Sequence, residues 1–97
     1  MKIKILDEAE DDIAKGMFFY ERQKENLGNY FLDSIMSDIE SLYIYAKVHI
    51  KVNGYYRLLS KRFPFSIYYK VKNECIYVYA VLDCRKNPTW IDQRLKK

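Results

Sequence analysis

Two stretches in the second half of the chain decide the fold. Residues 62–71 read Arg-Phe-Pro-Phe-Ser-Ile-Tyr-Tyr-Lys-Val, and residues 76–81 read Ile-Tyr-Val-Tyr-Ala-Val. Side-chain character alternates with a period of two in both stretches, which predicts neighbouring β-strands. Residues 72–74, Lys-Asn-Glu, predict a tight hairpin between them, because asparagine tolerates the left-handed backbone of such turns. Pro64 stands where its strand begins, so the missing N–H costs little there.

Shorter patterns complete the order of elements. Residues 2–6 alternate as a first strand, and the acidic residues after Asp7, the expected N-cap, suit the start of a helix. Gly28 marks the end of that helix, and apolar residues then recur at helical spacing to residue 46. Strands follow over residues 55–61, 65–72 and 75–83, the first after an Asn53-Gly54 turn, and Thr89 caps a last short helix or tail over residues 90–97. The order β-α-α-β-β-β predicts an α+β fold with a helical hairpin packed on one face of a small antiparallel sheet.

The strand period also separates the two faces of that sheet. The helix-facing set is expected to be all apolar or aromatic and comprises Phe65, Ile67, Tyr69, Val71, Ile76, Val78, Ala80 and Leu82. The opposite face combines tyrosine with cations, and its expected binding residues are Tyr55, Arg57, Lys61, Tyr68, Lys70, Tyr77 and Tyr79, with Arg85 at the edge. Rings among cations suit the bases and phosphates of a nucleic acid, and equally an amphipathic acidic peptide. Cross-strand tyrosine pairing explains some of these rings without a ligand.

The charge is divided unevenly along the chain. The 97 residues predict a single domain over residues 1–97 with formal net charge +4. Residues 1–50 hold six basic and ten acidic side chains, whereas residues 51–97 hold eleven basic and three acidic ones. A basic half favours an anionic partner, such as RNA, DNA or an acidic protein segment. A solvated surface with uneven charge is the alternative.

Other classes of protein are disfavoured. No apolar run is long enough to cross a bilayer and the start does not resemble a signal peptide, so we expect a cytoplasmic protein without membrane contact. Cys75 and Cys84 are nine residues apart in extended chain, at about 3.3 Å each, which is too far for a disulfide. We expect reduced thiols, no metal site and no cofactor.

Four groups of residues, in order, resemble the RelE/ParE superfamily of toxins from type II toxin–antitoxin systems, also called plasmid-stabilisation proteins. They are the helical segments at residues 12–15, 19–23 and 27–31, Gly-Tyr-Tyr-Arg-Leu-Leu at 54–59, the strand pair quoted above, and Arg85-Lys-Asn-Pro-Thr-Trp90 with Arg94. Together they span roughly residues 5–94. The helical segments are similar to those of the ParE-like branch, which we therefore favour.

The resemblance implies a bacterial toxin that inhibits growth and is neutralised by a cognate antitoxin encoded by an adjacent gene. ParE-like members inhibit DNA gyrase, and RelE-like members cleave mRNA in the ribosome without a metal. The antitoxin segment is expected to be amphipathic and acidic and to place its carboxylates against Arg57, Lys61 and Arg85.

Two positions depart from the ribonuclease pattern. Arg57 and Arg85 match cationic positions of RelE-like enzymes and Trp90 falls near their aromatic one, but Leu59 and Ser66 stand where those enzymes carry cations. Losing charge stabilisation from a transition state costs about 2.7–4 kcal/mol for one donor, so gyrase inhibition is the favoured activity. If the chain is a metal-independent endoribonuclease instead, Arg57, Lys61 and Arg85 are its catalytic candidates. A degenerate, non-toxic member is a third hypothesis.

The remaining candidates carry weaker signals. Arg62, Lys86, Trp90 and Arg94 complete the expected partner or nucleic-acid surface, although Trp90 packing as a lid on the core is an equally good interpretation. His49, the only histidine, is a possible general base by residue type. It matches no histidine position of the resembling ribonucleases, so we interpret it as a loop residue without a catalytic role.

Overall fold

The computed structural model of the protein describes residues 1–96. It contains four helices and five strands within those residues: β1 (Lys2–Ile5), α1 (Asp7–Glu21), α2 (Leu27–Glu40), α3 (Leu42–Tyr45), β2 (Lys51–Val52), β3 (Tyr55–Leu59), β4 (Phe65–Lys72), β5 (Cys75–Asp83) and α4 (Pro88–Leu95). The expected α+β order is confirmed, with a two-residue β2 added before the Asn53-Gly54 turn. The end of the predicted last helix, residue 97, lies outside the described residues.

The sheet is mixed rather than wholly antiparallel. Its strand order is β1-β5-β4-β3-β2, and β1 runs parallel to β5 while the other neighbours are antiparallel. β1 and β5 are far apart in sequence, so no short turn forces them to be antiparallel. The two hairpin turns form as expected, with positive φ at Asn53 and Gly54 and at Asn73 and Glu74.

The helical hairpin of α1 and α2 packs on one face of the sheet. Asn26, with φ 69°, makes the left-handed turn between the helices, so the expectation that Gly28 ends the first helix is wrong. Gly28 lies inside α2, where a Cβ would stand 2.6 Å from the carbonyl oxygen of Met17. Glu21 accepts the N–H groups of Asn26 at 3.0 Å and Gly28 at 2.9 Å. This carboxylate closes the hairpin by satisfying amides at the start of α2.

Helix caps also differ from the sequence expectations. Leu6, without a side-chain bond, occupies the N-cap of α1, and Asp7 is its first residue. Asn87 rather than Thr89 caps α4: its side chain accepts the Thr89 N–H at 2.8 Å, and Pro88 follows as the first helical residue. Proline is favoured at that position because its missing N–H has no helical partner to lose.

Two cores form, one on each face of the sheet. The larger core lies under the helical hairpin and contains an aromatic cluster of Tyr20, Phe31, Phe63 and Phe65. The smaller core lies on the opposite face, where α4 covers it; its buried members are Tyr55, Tyr68, Ala80, Leu82 and Leu95. The face opposite the hairpin is therefore only partly open to solvent.

Candidate partner groove and the opposite face of the sheet

A β-bulge divides β5 into two halves. Tyr69 of β4 stands opposite Val78 and Tyr68 stands opposite Ala80, so Tyr79 is the extra residue. One extra residue reverses the side-chain alternation of all that follow. Ile76 and Val78 face the hairpin as expected, but Ala80 and Leu82 pack in the smaller core and Val81 joins the larger one. The expectation that Ala80 and Leu82 face the hairpin is therefore wrong.

The second half of β5 has no strand on its outer side. β1 pairs with β5 only as far as Val78, whose carbonyl accepts the Leu6 N–H at 3.0 Å. Further along, the Val81 N–H donates to the buried Asp12 carboxylate of α1 at 3.0 Å. An unpaired buried amide costs free energy comparable to a lost hydrogen bond. The Asp12 side chain thus takes the place of a neighbouring strand at this point.

Asp12 also holds α4 in place. The Arg94 guanidinium donates to both carboxylate oxygens at 2.8 Å, and Glu8 lies 3.8 Å from the same guanidinium. The hydrogen bond to Asp12 raises the pKa of Arg94 above its ordinary value. A bidentate pair of this kind fixes orientation as well as distance. Asp12 therefore links α1, β5 and α4 in one network.

A groove of about 380 Å³ lies between α1 and α4 beside this half of β5. Its lining is mainly apolar and aromatic with cations at the rim: Lys15, Gly16, Phe19, Phe65, Val81, Leu82, Lys86 and Trp90, together with Asp12, Asp83 and Arg94. Phe19 is 50% exposed and Trp90 is 40% exposed. The cations of Lys86 and Arg94 lie 5.5 Å and 5.8 Å from the Trp90 ring centroid. Exposed rings beneath cations suit an amphipathic segment that carries carboxylates.

Arg85 lies on the hairpin side of the sheet. Asp83 accepts from its Nε at 3.0 Å and its Nη2 at 2.8 Å, and from its backbone N–H at 2.8 Å. These hydrogen bonds lower the pKa of Asp83 and raise that of Arg85, whose guanidinium is beside the hydroxyl of Tyr20 on α1. The Arg85 charge is therefore already paired, on the face opposite to Arg57.

Arg57 is in a different environment. Its guanidinium lies beside the hydroxyl of Tyr68 in the smaller core, and its buried Nε has no hydrogen-bond partner among the described residues. Next to it, Ser66 is buried with its Oγ 2.9 Å from the Sγ of Cys84, while Leu59 is 56% exposed. Lys61 and Arg62 are exposed in the loop between β3 and β4. The structure does not bring the three catalytic candidates together on one face.

The tyrosines of the opposite face divide into covered and open groups. Tyr55 and Tyr68 are buried, whereas Tyr77 and Tyr79 are partly exposed. The Lys70 ammonium lies 4.6 Å from the Tyr55 ring centroid and 5.5 Å from that of Tyr79. The open part of this face therefore lies at the Lys70 end of the sheet, away from α4.

His49 has a structural environment. Its Nδ1 lies 2.5 Å from the hydroxyl of Tyr69, which also accepts the Lys47 N–H at 3.1 Å. Tyr69 is fully buried in the larger core. Burial lowers the pKa of His49. The imidazole thus anchors the loop before β2 to the sheet.

Sequence reasoning missed Asp12, Lys15 and Phe19, the α1 side of the groove. By sequence pattern, Asp12 is only one of the acidic residues after Asp7 that suit the start of a helix. Its signal was its place on the buried stripe of α1, between Ala9 and Gly16 and next to Ile13. A carboxylate within such a stripe needs a buried partner.

No cluster of three or more metal-binding side chains occurs within residues 1–96, and no helix in that range has the length and apolarity to span a membrane.

The fold has a solved counterpart. A chain of the chromosomal ParDE toxin–antitoxin (TA) system from P. aeruginosa is similar with a TM-score of 0.75, over 84% of this chain and 92% of that chain, at 21% sequence identity. The fold expected from the resemblance to the RelE/ParE superfamily is thereby confirmed. No protein-family model and no curated protein matches the chain.

Proposed function

We propose that this protein is the toxin of a type II toxin–antitoxin pair, a cytoplasmic inhibitor of bacterial growth that an antitoxin from an adjacent gene neutralises. The observation that carries the proposal is the fold shared with a chain of a ParDE toxin–antitoxin system over most of both chains. A fold alone does not define an activity. The ordered residue groups that resemble the superfamily give the proposal further support.

The proposed target is DNA gyrase rather than ribosome-bound mRNA. Metal-free RNA cleavage needs cations around one scissile phosphate. Arg57 and Arg85 lie on opposite faces, and Asp83 already pairs with Arg85. Leu59 and Ser66 add no charge beside Arg57. This separation of the catalytic candidates disfavours the endoribonuclease hypothesis.

The groove between α1 and α4 is the proposed docking site for the antitoxin. Its apolar floor suits apolar side chains, and Lys15 and Lys86, both exposed in its lining, suit carboxylates. Of the residues expected to bind a partner, Lys86, Trp90 and Arg94 line this groove. The proposal thus moves the antitoxin from the opposite face, with Arg57, to the side of the sheet where α1 and α4 meet.

Induced expression tests the function. Growth should stop when this chain is expressed alone and resume when the product of the neighbouring small open reading frame is co-expressed. The matched control is the same neighbouring frame with an early stop codon, which should not restore growth. Undiminished growth at full expression of the folded protein would contradict the proposal and favour a degenerate member.

The target is separated by two readouts on the same induced cells. Gyrase inhibition predicts relaxed or broken plasmid DNA with intact message. Ribosome-phased new 5′ ends in mRNA, with normal supercoiling, would instead establish the endoribonuclease and overturn the gyrase proposal.

A further inference from the structure

An exposed cationic patch covers the open end of the face opposite the hairpin. Strand pairing places Lys2, Cys75 and Lys72 in one row across three strands, and Lys4, Tyr77 and Lys70 in the next. Ile3 and Ile5 pack on the hairpin side, so Lys2 and Lys4 point to the opposite side. We call these four lysines with Tyr77 the lysine–tyrosine patch.

The geometry of this patch is regular. Rows are about 6.6 Å apart along the strands, and lysines of one row are about 9.6 Å apart across two strand intervals. Lys2, Lys4 and Lys72 are exposed, and Lys70 is held over Tyr55 and Tyr79. No carboxylate within residues 1–96 forms a salt bridge with any of the four. The patch therefore presents three exposed cations beside the half-buried Lys70.

Among residues 1–96, three carboxylates lie at the borders of the patch. Glu74 is in the turn between β4 and β5. Asp7 and Glu8 line the depression that separates Lys4 and Tyr79 from Arg94 and Leu95 of α4. These borders separate the patch from the groove, so one ligand can occupy each surface.

We propose that the lysine–tyrosine patch binds single-stranded nucleic acid, with phosphates on the lysines and a base stacked on Tyr77. Flat sheet surfaces with exposed rings among cations are what single strands need for stacking and phosphate contact. This binding goes beyond the proposed toxin activity and does not depend on it.

Two other anionic ligands fit less well. A peptide strand adds to a sheet edge, which here is the outer side of the four-residue β1, whereas the patch extends over the face of the sheet across β1, β5 and β4. A duplex is recognised by an element that enters a groove, whereas the four lysines and Tyr77 all lie on the strands β1, β4 and β5. An acidic peptide and a duplex are therefore the contrasting ligands in the test.

The test is fluorescence anisotropy with a labelled 20-nucleotide oligo(dT) over a series of salt concentrations. Binding should weaken with salt, by a slope of about 0.7 per neutralised phosphate for a single strand. The triple variant Lys2→Gln, Lys4→Gln, Lys72→Gln should bind at least tenfold more weakly at 0.1 M salt, and its slope should fall by about 2. The matched control Arg22→Gln, Lys24→Gln, Lys51→Gln removes the same charge from the hairpin side and should change affinity by less than threefold.

Tyr77 separates stacking from charge. Tyr77→Ala should weaken binding about tenfold, whereas Tyr77→Phe keeps the ring and should bind like the parent. Circular dichroism confirms that each variant folds. Absent binding, equal losses in the two triple variants, equal affinity for a 20-base-pair duplex, or unchanged affinity in Tyr77→Ala would each overturn the proposal. Tighter binding of poly-glutamate, again lost in the Lys2, Lys4, Lys72 variant, would do the same and assign the patch to an acidic protein. Growth inhibition is measured separately, so failure here leaves the proposed toxin activity standing.

Discussion

The two halves of β5 are stabilised in different ways. Residues Cys75–Val78 lie between two strands, and their side chains alternate as the sequence predicts. Beyond the bulge at Tyr79, only β4 pairs with the strand, and Asp12 of α1 and helix α4 complete its outer side. The first half depends on backbone pairing, which many sequences can make. The second half depends on a few named side chains, and the proposed docking groove lies beside it.

The largest expected effect is at Asp12. Asp12→Ala removes the acceptor of the Val81 N–H and leaves Arg94 without its main partner, so the free energy of unfolding should fall by about 3 kcal/mol. Asp12→Asn keeps an acceptor for Val81 but loses the charge, and should cost less. Urea denaturation measures both. Equal losses would show that the amide contact contributes nothing and would break the contrast between the two halves.

A smaller effect is expected at Leu95, the buried residue that fixes α4 over the smaller core. Leu95→Ala should cost about 2 kcal/mol, at the low end for a buried leucine because a short terminal helix relaxes readily. Native-state hydrogen exchange of the Leu95→Ala variant compares the two halves of β5 directly. In this variant the Val81 amide should lose protection from exchange, while the Leu6 amide bonded to Val78 should keep it. Equal loss at both amides would mean that the halves open as one unit.

The smallest expected effect is the pH dependence of the free energy of unfolding that comes from His49, in the loop before β2. Because burial lowers the pKa of His49 in the folded state, the unfolded chain binds the proton first. Stability is therefore expected to be full above the ordinary histidine pKa of about 6.5 and to fall as the pH drops below it. His49→Gln should flatten the stability profile between pH 7 and 5. A slope unchanged in that variant would assign the dependence to other groups.

The contrast between the halves also explains what the sequence could predict. The period of two places Ile76 and Val78 correctly, since both precede the bulge, and the Asn-containing turns carry their own local signal. The bulge at Tyr79 carries no such local signal, because a tyrosine suits either face of the sheet. The faces of Ala80, Leu82 and Arg85, and the groove itself, all depend on this bulge. The role of Asp12 could not be predicted from local sequence, because its hydrogen bond with Val81 joins α1 to β5 across 69 residues.

The most direct test of the account is calorimetry of this chain with the neighbouring gene's product. Charge reversal at the groove rim, Lys15→Glu with Lys86→Glu, should weaken binding at least tenfold, because it sets like charges against the partner's carboxylates. The matched control, Lys61→Glu with Arg62→Glu, reverses two exposed cations of the β3–β4 loop and should change affinity by less than threefold. Unchanged affinity in the groove variant, with a large loss in the loop variant, would contradict the proposed docking site.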